Sequence, residues 1–385
     1  MLLQSEDVAW FRDDFTGARL AASRLARRLG LSEQRSGQVA LAVSEAASNL
    51  VKHAVDGAIV LREIRSTHLA GVEFLAVDGG PGMADVAASM RDGRSSTGTL
   101  GIGLGMIARL ADAFDLHSLP GQGTVIVARF WPRDTMKPPG GISADLSHSV
   151  VGGVTRPISG GSECGDGWAA RWDGAENAAP GYLPQGSVVA DLPTGAVTGS
   201  TPGHGQRPAG FASAPRGAGG ALLVMLSDGL GHGPLARMAT QTAIRAFGQS
   251  RGRAPEEVMS DIHRALAGTR GAAVAVARID PQRGHVQFCG VGNISGAIVT
   301  SASKSSLLSL PGIAGHQIRT LRTTTHPLPP GSALILHSDG LTERWGHGDL
   351  PDTRRHSPTV IAGHLLRTAG KYHDDACVIV AAGLC

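Results

Sequence analysis

The sequence predicts a mixed α/β (α+β) protein of two domains in series, on three observations. Its 385 residues exceed what one hydrophobic core usually covers. A helical stretch followed by strands fills the first third, and strands outnumber helices in the rest. Between the two lies RDTMKPPGGISA, which has no periodicity and gathers Pro138, Pro139, Gly140 and Gly141, the composition of a linker. The expected division is a first domain over 1–134, a linker over 135–142 and a second domain over 143–385.

In the first domain the pattern from Phe15 to about Ala54 is helical, with Gly30 as a stop signal and Ser32 placed to cap a second helix. Val39, Val43, Ala46, Leu50 and Val51 recur at helical spacing as its buried stripe, which leaves Glu45 and Asn49 on the other face. Strands follow at GAIVLREI and GVEFLAVD, then a loop, a helix from about Gly103 and a last strand at GTVIVARFW.

Strands of the second domain are expected at VVGGV, DGWAARW, ALLVMLSD, AAVAVARID, HVQFCGVG, GAIVT, SALILHSD and ACVIVAA, with helices near 234–248 and 255–267. Residues 174–220 are rich in Gly and Pro and hold only two aromatic residues, so they lack the material of a core and read as a disordered insertion.

Composition removes several classes of function. Apolar residues make up 42% and charged residues 17%, enough for packed cores. The formal charge is only +3 and the arginines are scattered, so nothing points to nucleic-acid or membrane binding. Cys164, Cys289, Cys377 and Cys385 are far apart and form no CxxC pair, which suggests neither zinc nor a disulfide framework and fits a reducing cytoplasm. MLLQSEDVAW has no basic segment leading into an apolar one, as a secretory signal would.

Three motifs in order carry the chemistry of the first domain: SEAASN at 44–49, DGGPG at 78–82 and GIGLG at 101–105. In a chain with 54 glycines none of them is informative alone. Together they place Glu45 and Asn49 one helical turn apart, a glycine turn directly after a strand, and a glycine loop before a helix whose free N–H groups favour an anion. This set resembles the GHKL (Bergerat-fold) ATPases, and among them the small serine kinases of anti-sigma and stressosome switches, over about residues 5 to 132. The resemblance implies an ATP-binding α/β sandwich that uses Mg²⁺. By it Glu45 is the general base for the substrate hydroxyl and Asn49 a Mg²⁺ ligand. Asp78 binds the adenine amino group, Gly80 and Gly82 shape the pocket, Gly101, Gly103 and Gly105 line the phosphates, and Thr124 closes the adenine side. Sensor histidine kinases share that fold, but they need a long two-helix phospho-acceptor segment upstream that is not recognisable here.

In the second domain four acidic motifs follow strands or turns: CGDGW at Asp166, SDGLGHG at Asp228, HSDGLTE at Asp339 and HDDACVIV at Asp374 and Asp375. Carboxylates gathered without a cation repel and are costly to bury, so their convergence implies bound metal. Oxygen ligands with no His or Cys at ligand spacing favour Mg²⁺ or Mn²⁺. Asp56, Asp92 and Asp173, also followed by Gly, read as turns, and His232 reads first as a surface residue. SDGLGHGPLA and SDGLTE followed by DDACVIV resemble the PPM phosphatases, most closely their SpoIIE/RsbX branch, from about Ser143 to Leu384. The resemblance implies an α-β-β-α sandwich holding two Mn²⁺ or Mg²⁺ through Asp228, the carbonyl of Gly229, Asp339 and Asp374, with Asp166 as an early-strand ligand. Asp375 is either a further ligand or only the neighbour of Asp374.

Both resemblances together imply a cytoplasmic switch that phosphorylates and dephosphorylates Ser/Thr on a STAS-domain phosphoprotein. They leave open a sigma factor as a second partner and a homodimer through the kinase domain. The rival reading is an ATP-binding anti-sigma module that performs no transfer, fused to an active phosphatase.

Overall fold

The computed structural model describes residues 4–12, 14–65, 69–90, 103–132, 149–159, 161, 163–173 and 220–384. These form two compact units, residues 4–132 and 149–384. The expected linker, Gly101 and all but the last residue of the expected insertion lie outside the described residues.

The first unit runs β1 (Gln4–Arg12), α1 (Ala18–Arg28), α2 (Glu33–His53), β2 (Ala58–Arg65), β3 (Ala70–Asp78), α3 (Val86–Ser89), α4 (Gly103–Leu110), β4 (Ala113–Ser118) and β5 (Thr124–Phe130). Helix α1 stops where Gly30 turns left-handed (φ +81), and Ser32 caps α2 by accepting from the Arg35 N–H, as the sequence predicts. The five strands form one antiparallel sheet in the order β1-β2-β3-β5-β4. Ala18, Ala22 and Leu25 of α1, Val39, Val43, Ala46 and Leu50 of α2 and Ile107 of α4 pack on Ile59, Leu61, Val72, Phe74, Ile126 and Ala128. On the opposite face cross-strand register sets Arg62 beside Glu73 and Glu73 beside Arg129. Burial pushes the Glu73 carboxyl up, but Arg129 and Arg62, each bonded to one of its oxygens, outweigh it and hold the pKa low. Arg62 also reaches Asp7 at 2.6 Å, which ties edge strand β1 to the sheet.

The second unit contains β6 (Val151–Arg156), β7 (Asp166–Trp172), β8 (Leu222–Gly229), α5 (Pro234–Gln249), α6 (Pro255–Ala265), β9 (Ala272–Asp280), β10 (His285–Val291), β11 (Ser295–Val299), β12 (Lys304–Leu307), β13 (Gly312–Ile313), β14 (Gln317–Ile318), β15 (Thr324–Pro327), β16 (Ala333–His337), α7 (Pro358–Ala369) and β17 (Ala376–Ala382). Two five-stranded antiparallel sheets, β15-β10-β9-β8-β7 and β12-β11-β16-β17-β6, face each other. The period of two in the apolar runs builds the layers. Leu222, Val224 and Leu226 of β8 and Ala275, Ala277 and Ile279 of β9 point between the sheets at Leu334, Leu336, Cys377 and Ile379. The alternate residues Leu223, Met225, Val274 and Val276 point outward onto Ala239, Ala243 and Phe247 of α5 and Val258 and Ile262 of α6. Helix α7 covers β17 and β6 on the other side, completing four layers, α-β-β-α. Cys164 is half-buried, its thiol against the Arg156 carbonyl at 3.4 Å.

Candidate active sites

At the first site the sheet aligns three polar residues. Asp78, the last residue of β3, lies opposite Thr124 of β5, and Thr124 lies opposite Ser118 of β4. The Asp78 carboxylate accepts from the Gly80 N–H at 2.7 Å, which pins the DGGPG turn. The Ser118 hydroxyl accepts from the Met83 N–H (2.9 Å) and donates to the Gly123 carbonyl (3.0 Å), so in its 3.0 Å contact with Thr124 the Thr124 hydroxyl is the donor. Ser118 thus joins the turn to the floor of the site. Sequence reasoning passed it over, and its only signal was a polar residue ending a short strand.

Glycines let backbone meet backbone around this floor. A β-carbon on Gly80 would fall 2.4 Å from the His53 carbonyl oxygen. At Gly82 both reasons hold, since φ is +66 and a β-carbon would lie 2.0 Å from the Leu119 carbonyl oxygen. Glu45 and Asn49 are half-buried one turn apart on α2 and, among the described residues, make no hydrogen bond or ion pair. Gly103 opens α4 directly against Glu45, because a β-carbon there would sit 2.3 Å from the Glu45 Oε1. The carboxylate therefore stands beside the first turn of a helix, where N–H groups lack intrahelical partners. Gly105 is buried one step further along α4. Lys52 and His53 are exposed, as expected of surface residues.

At the second site strand register does the gathering. Antiparallel pairing of β7 and β8 sets Asp166 directly opposite Asp228. Asp339 follows β16 and Asp374 precedes β17, and the Ser338 N–H to Cys377 carbonyl (3.0 Å) and Cys377 N–H to Ser338 hydroxyl (2.9 Å) bonds hold those two segments together. The acids sense one another. Burial, then the charge of Asp339, with further contributions from Asp374 and Asp375, raises the Asp228 carboxyl from 3.8 to about 7. Burial, then Asp228, raises Asp166 well above the usual carboxylate range, and the Ser338 hydroxyl opposes the rise. Asp166 is 6% exposed, and among the described residues its Oδ2 has no hydrogen-bond partner.

Charge concentrated to the point of retaining protons, with an oxygen of a buried carboxylate unpartnered, fits a divalent cation. Among the described residues no three His, Cys, Asp or Glu side chains converge as a ready ligand set. A hard cation needs no such set, because Mg²⁺ keeps several waters and is held through one or two carboxylates. Asp375 is otherwise employed. Its two oxygens accept from the Ile158 N–H (2.7 Å) and the Gly165 N–H (2.8 Å), so it anchors the segments leaving β6 and entering β7. Asp374 accepts from the Asp375 N–H, and Gly229, whose N–H donates to the Gly165 carbonyl, carries no side chain because a β-carbon would lie 2.3 Å from the Ala236 carbonyl oxygen. His232 is exposed on the loop after Asp228. Asn293, which the sequence did not single out, donates from Nδ2 to the Asp339 carboxylate at 2.7 Å. Asp173, expected as a turn, stands in the turn that follows β7 and also pairs with Arg278 at 3.2 Å.

These two constructions define the class: an ATPase domain of the GHKL type joined to a PPM-type phosphatase domain. Residues 12–130 match the histidine kinase-like ATPase domain family, and residues 218–382 match the stage II sporulation protein E (SpoIIE) family. The chain is 36% identical over 120 residues to the serine/threonine-protein kinase RsbT of Bacillus subtilis (strain 168), covering 31% of this chain and 90% of RsbT. It is 32% identical over 140 residues to the phosphoserine phosphatase RsbX of the same organism, covering 35% of this chain and 65% of RsbX, slightly less than two thirds of that relative. A solved RsbX structure in complex with magnesium aligns with 60% of this chain and 92% of its own, at 19% identity and a TM-score of 0.41. The chain belongs to the RsbT kinase family through its first domain and carries a SpoIIE domain behind it. Asp166 lies upstream of the SpoIIE match, and only the β7–β8 register brings it to Asp228. Among the described residues no helix is long and apolar enough to cross a membrane.

Proposed function

We propose that the protein is a bifunctional regulator that phosphorylates and dephosphorylates Ser/Thr on a STAS-domain partner, with the kinase over 1–134 and the phosphatase over 143–385. The similarity to a kinase and a phosphatase named for opposite reactions supports pairing the two on one substrate. The observation that carries the reading is the aspartate cluster, in which the β7–β8 register sets Asp166 opposite Asp228 and burial together with the neighbouring acids raises both carboxyls.

In the kinase domain Asp78 holds the adenine amino group while the Gly80 N–H fixes its carboxylate, and Thr124 closes that side of the pocket. Asn49 would hold Mg²⁺, and the N–H groups around Gly101, Gly103 and Gly105 would receive the phosphates. Glu45, beside Gly103, takes the proton from the substrate hydroxyl as that hydroxyl's oxygen bonds the γ-phosphorus of ATP and the β–γ bridging bond breaks, releasing ADP.

In the phosphatase domain Asp166, Asp228, Asp339, Asp374 and the Gly229 carbonyl would hold two Mn²⁺ or Mg²⁺. Such a pair supplies Lewis-acid polarisation of phosphoryl oxygens and acidified water for in-line hydrolysis. Asp228, whose carboxyl is raised, would have to be ionised to hold such a cation, Asn293 fixes the orientation of Asp339, and Asp375 keeps the two strand ends in place. Incubating the protein with radiolabelled ATP and STAS-domain proteins, with and without Mn²⁺, tests the reading. Label should enter the partner, and Mn²⁺ should release it as phosphate. ATP binding with no transfer to any partner would establish the anti-sigma binding module instead, and no Mn²⁺-dependent release would remove the phosphatase.

A further inference from the structure

Arg270 stands beside the second site without being one of its acids. The β8–β9 ladder pairs Asp228 with Ala273 and Gly229 with Ala272, and the Leu230 N–H continues it to the Gly271 carbonyl at 3.1 Å. One step further out, Arg270 falls against Gly231, three residues past Asp228. Its Nη1 stands 2.9 Å from where a β-carbon on Gly231 would lie, and Gly231 holds a left-handed φ of +85, so glycine serves both the turn and the passage of the guanidinium. Arg270 is exposed and, among the described residues, makes no hydrogen bond or ion pair. Two other cations have partners: Lys371 Nζ donates to the neutral Asp339 carbonyl at 2.6 Å, and Arg237 faces Glu163 at 3.8 Å.

We propose that Arg270 is the phosphate-binding residue of the phosphatase site, its guanidinium taking the non-bridging oxygens of the phosphomonoester presented to the aspartate cluster. The proposal rests on the phosphatase reading and supplies the group that recognises its substrate. Four ionised ligands, Asp166, Asp228, Asp339 and Asp374, neutralise two divalent cations and leave no net positive charge. A phosphomonoester arriving with about −1.5 to −2 charges therefore needs a cation from outside the ligand set. A planar guanidinium is suited to bind two phosphate oxygens at once, which an ammonium matches only as a point charge. Its exposed position lets it meet a phosphate carried on the surface of another protein.

The test uses the full chain loaded with Mn²⁺, with p-nitrophenyl phosphate and a phosphoserine peptide as substrates and orthophosphate as product inhibitor. Arg270→Ala should raise KM and the phosphate inhibition constant by about tenfold, a factor that corresponds to one ordinary charged contact. The Mn²⁺ concentration for half-activation and the Tm should not move, and Arg270→Lys should recover part of the loss. KM and phosphate inhibition within twofold of the parent would overturn the proposal, as would a loss traced wholly to a higher Mn²⁺ requirement. If the parent hydrolyses neither substrate, the phosphatase reading fails by itself. Calorimetric titration of orthophosphate into the Mn²⁺-loaded parent and Arg270→Ala then decides the matter for Arg270, and equal binding or none in both refutes it.

Discussion

At the first site the protein brings backbone close, and at the second it brings charge close. Gly80, Gly82 and Gly103 let loops, strand ends and a helix start press against one another, while Glu45 and Asn49 are half-buried and, among the described residues, make no hydrogen bond or ion pair. At the second site the side chains themselves collide electrostatically, and Asp228 is raised to about 7 by burial and its neighbours. The contrast matches the two jobs proposed for them. A nucleotide pocket must offer N–H groups and space to a large ligand, whereas a site for small cations must store negative charge. It also sets how each site should break, by lost shape and positioning at the first and by lost neutralisation at the second.

The largest effect is expected from the charged site. Asp339→Ala removes a carboxylate facing Asp228 and the partner of Asn293, and phosphate release from a phosphorylated substrate should fall by roughly 10²-fold or more across a Mn²⁺ titration. ATP binding by the other domain should be untouched, and activity within a few-fold of the parent would make Asp339 a turn residue. At the glycine-built site Glu45→Ala should lower phosphoryl transfer by about 10²- to 10⁴-fold, the typical contribution of a general base, while calorimetry finds nucleotide affinity preserved. An unchanged transfer rate removes Glu45 from the mechanism. Asp78→Asn should be milder, weakening ATP by about tenfold through one hydrogen-bonding group, and equal affinity would refute the adenine assignment.

How much of this was legible in the sequence follows the same contrast. Strands buried on both faces, such as β8, β9 and β17, announced themselves as continuous apolar runs, which put Asp228 and Asp374 at strand ends, while their roles as ligands came from the family resemblance. Strands β1 and β4 were missed because each lies at an edge of its sheet and mixes charged with apolar residues. Helix α7 was missed because Pro358 through Leu366 are all buried, which erases the polar face that betrays a helix. Its Ser357 cap, followed by Pro358 in the first turn, was the signal that could have found it. The role of Asp375 was not legible, since nothing in the pair Asp374–Asp375 says which carboxylate meets backbone N–H groups from residues more than two hundred positions away. Asn293 was hidden for the same reason, being joined to Asp339 only by folding.

The most direct measurement of the central claim, that the aspartate cluster is built to hold divalent cations, is thermal stability against pH with and without Mn²⁺. In the metal-free protein Asp228 keeps a proton that the unfolded chain releases near its ordinary value of 3.8. The stability associated with that proton is fully present below the unfolded value and is lost as pH rises through about 7, and Asp166, also raised, adds in the same direction. Mn²⁺ competes with the protons, so it should raise the Tm strongly at about pH 8 and weakly at about pH 5.5. Asp228→Asn, which cannot ionise, should flatten the metal-free pH dependence and lose most of the Mn²⁺ effect. A Tm that ignores Mn²⁺ at both pH values, or a rise that Asp228→Asn retains in full, would contradict the account.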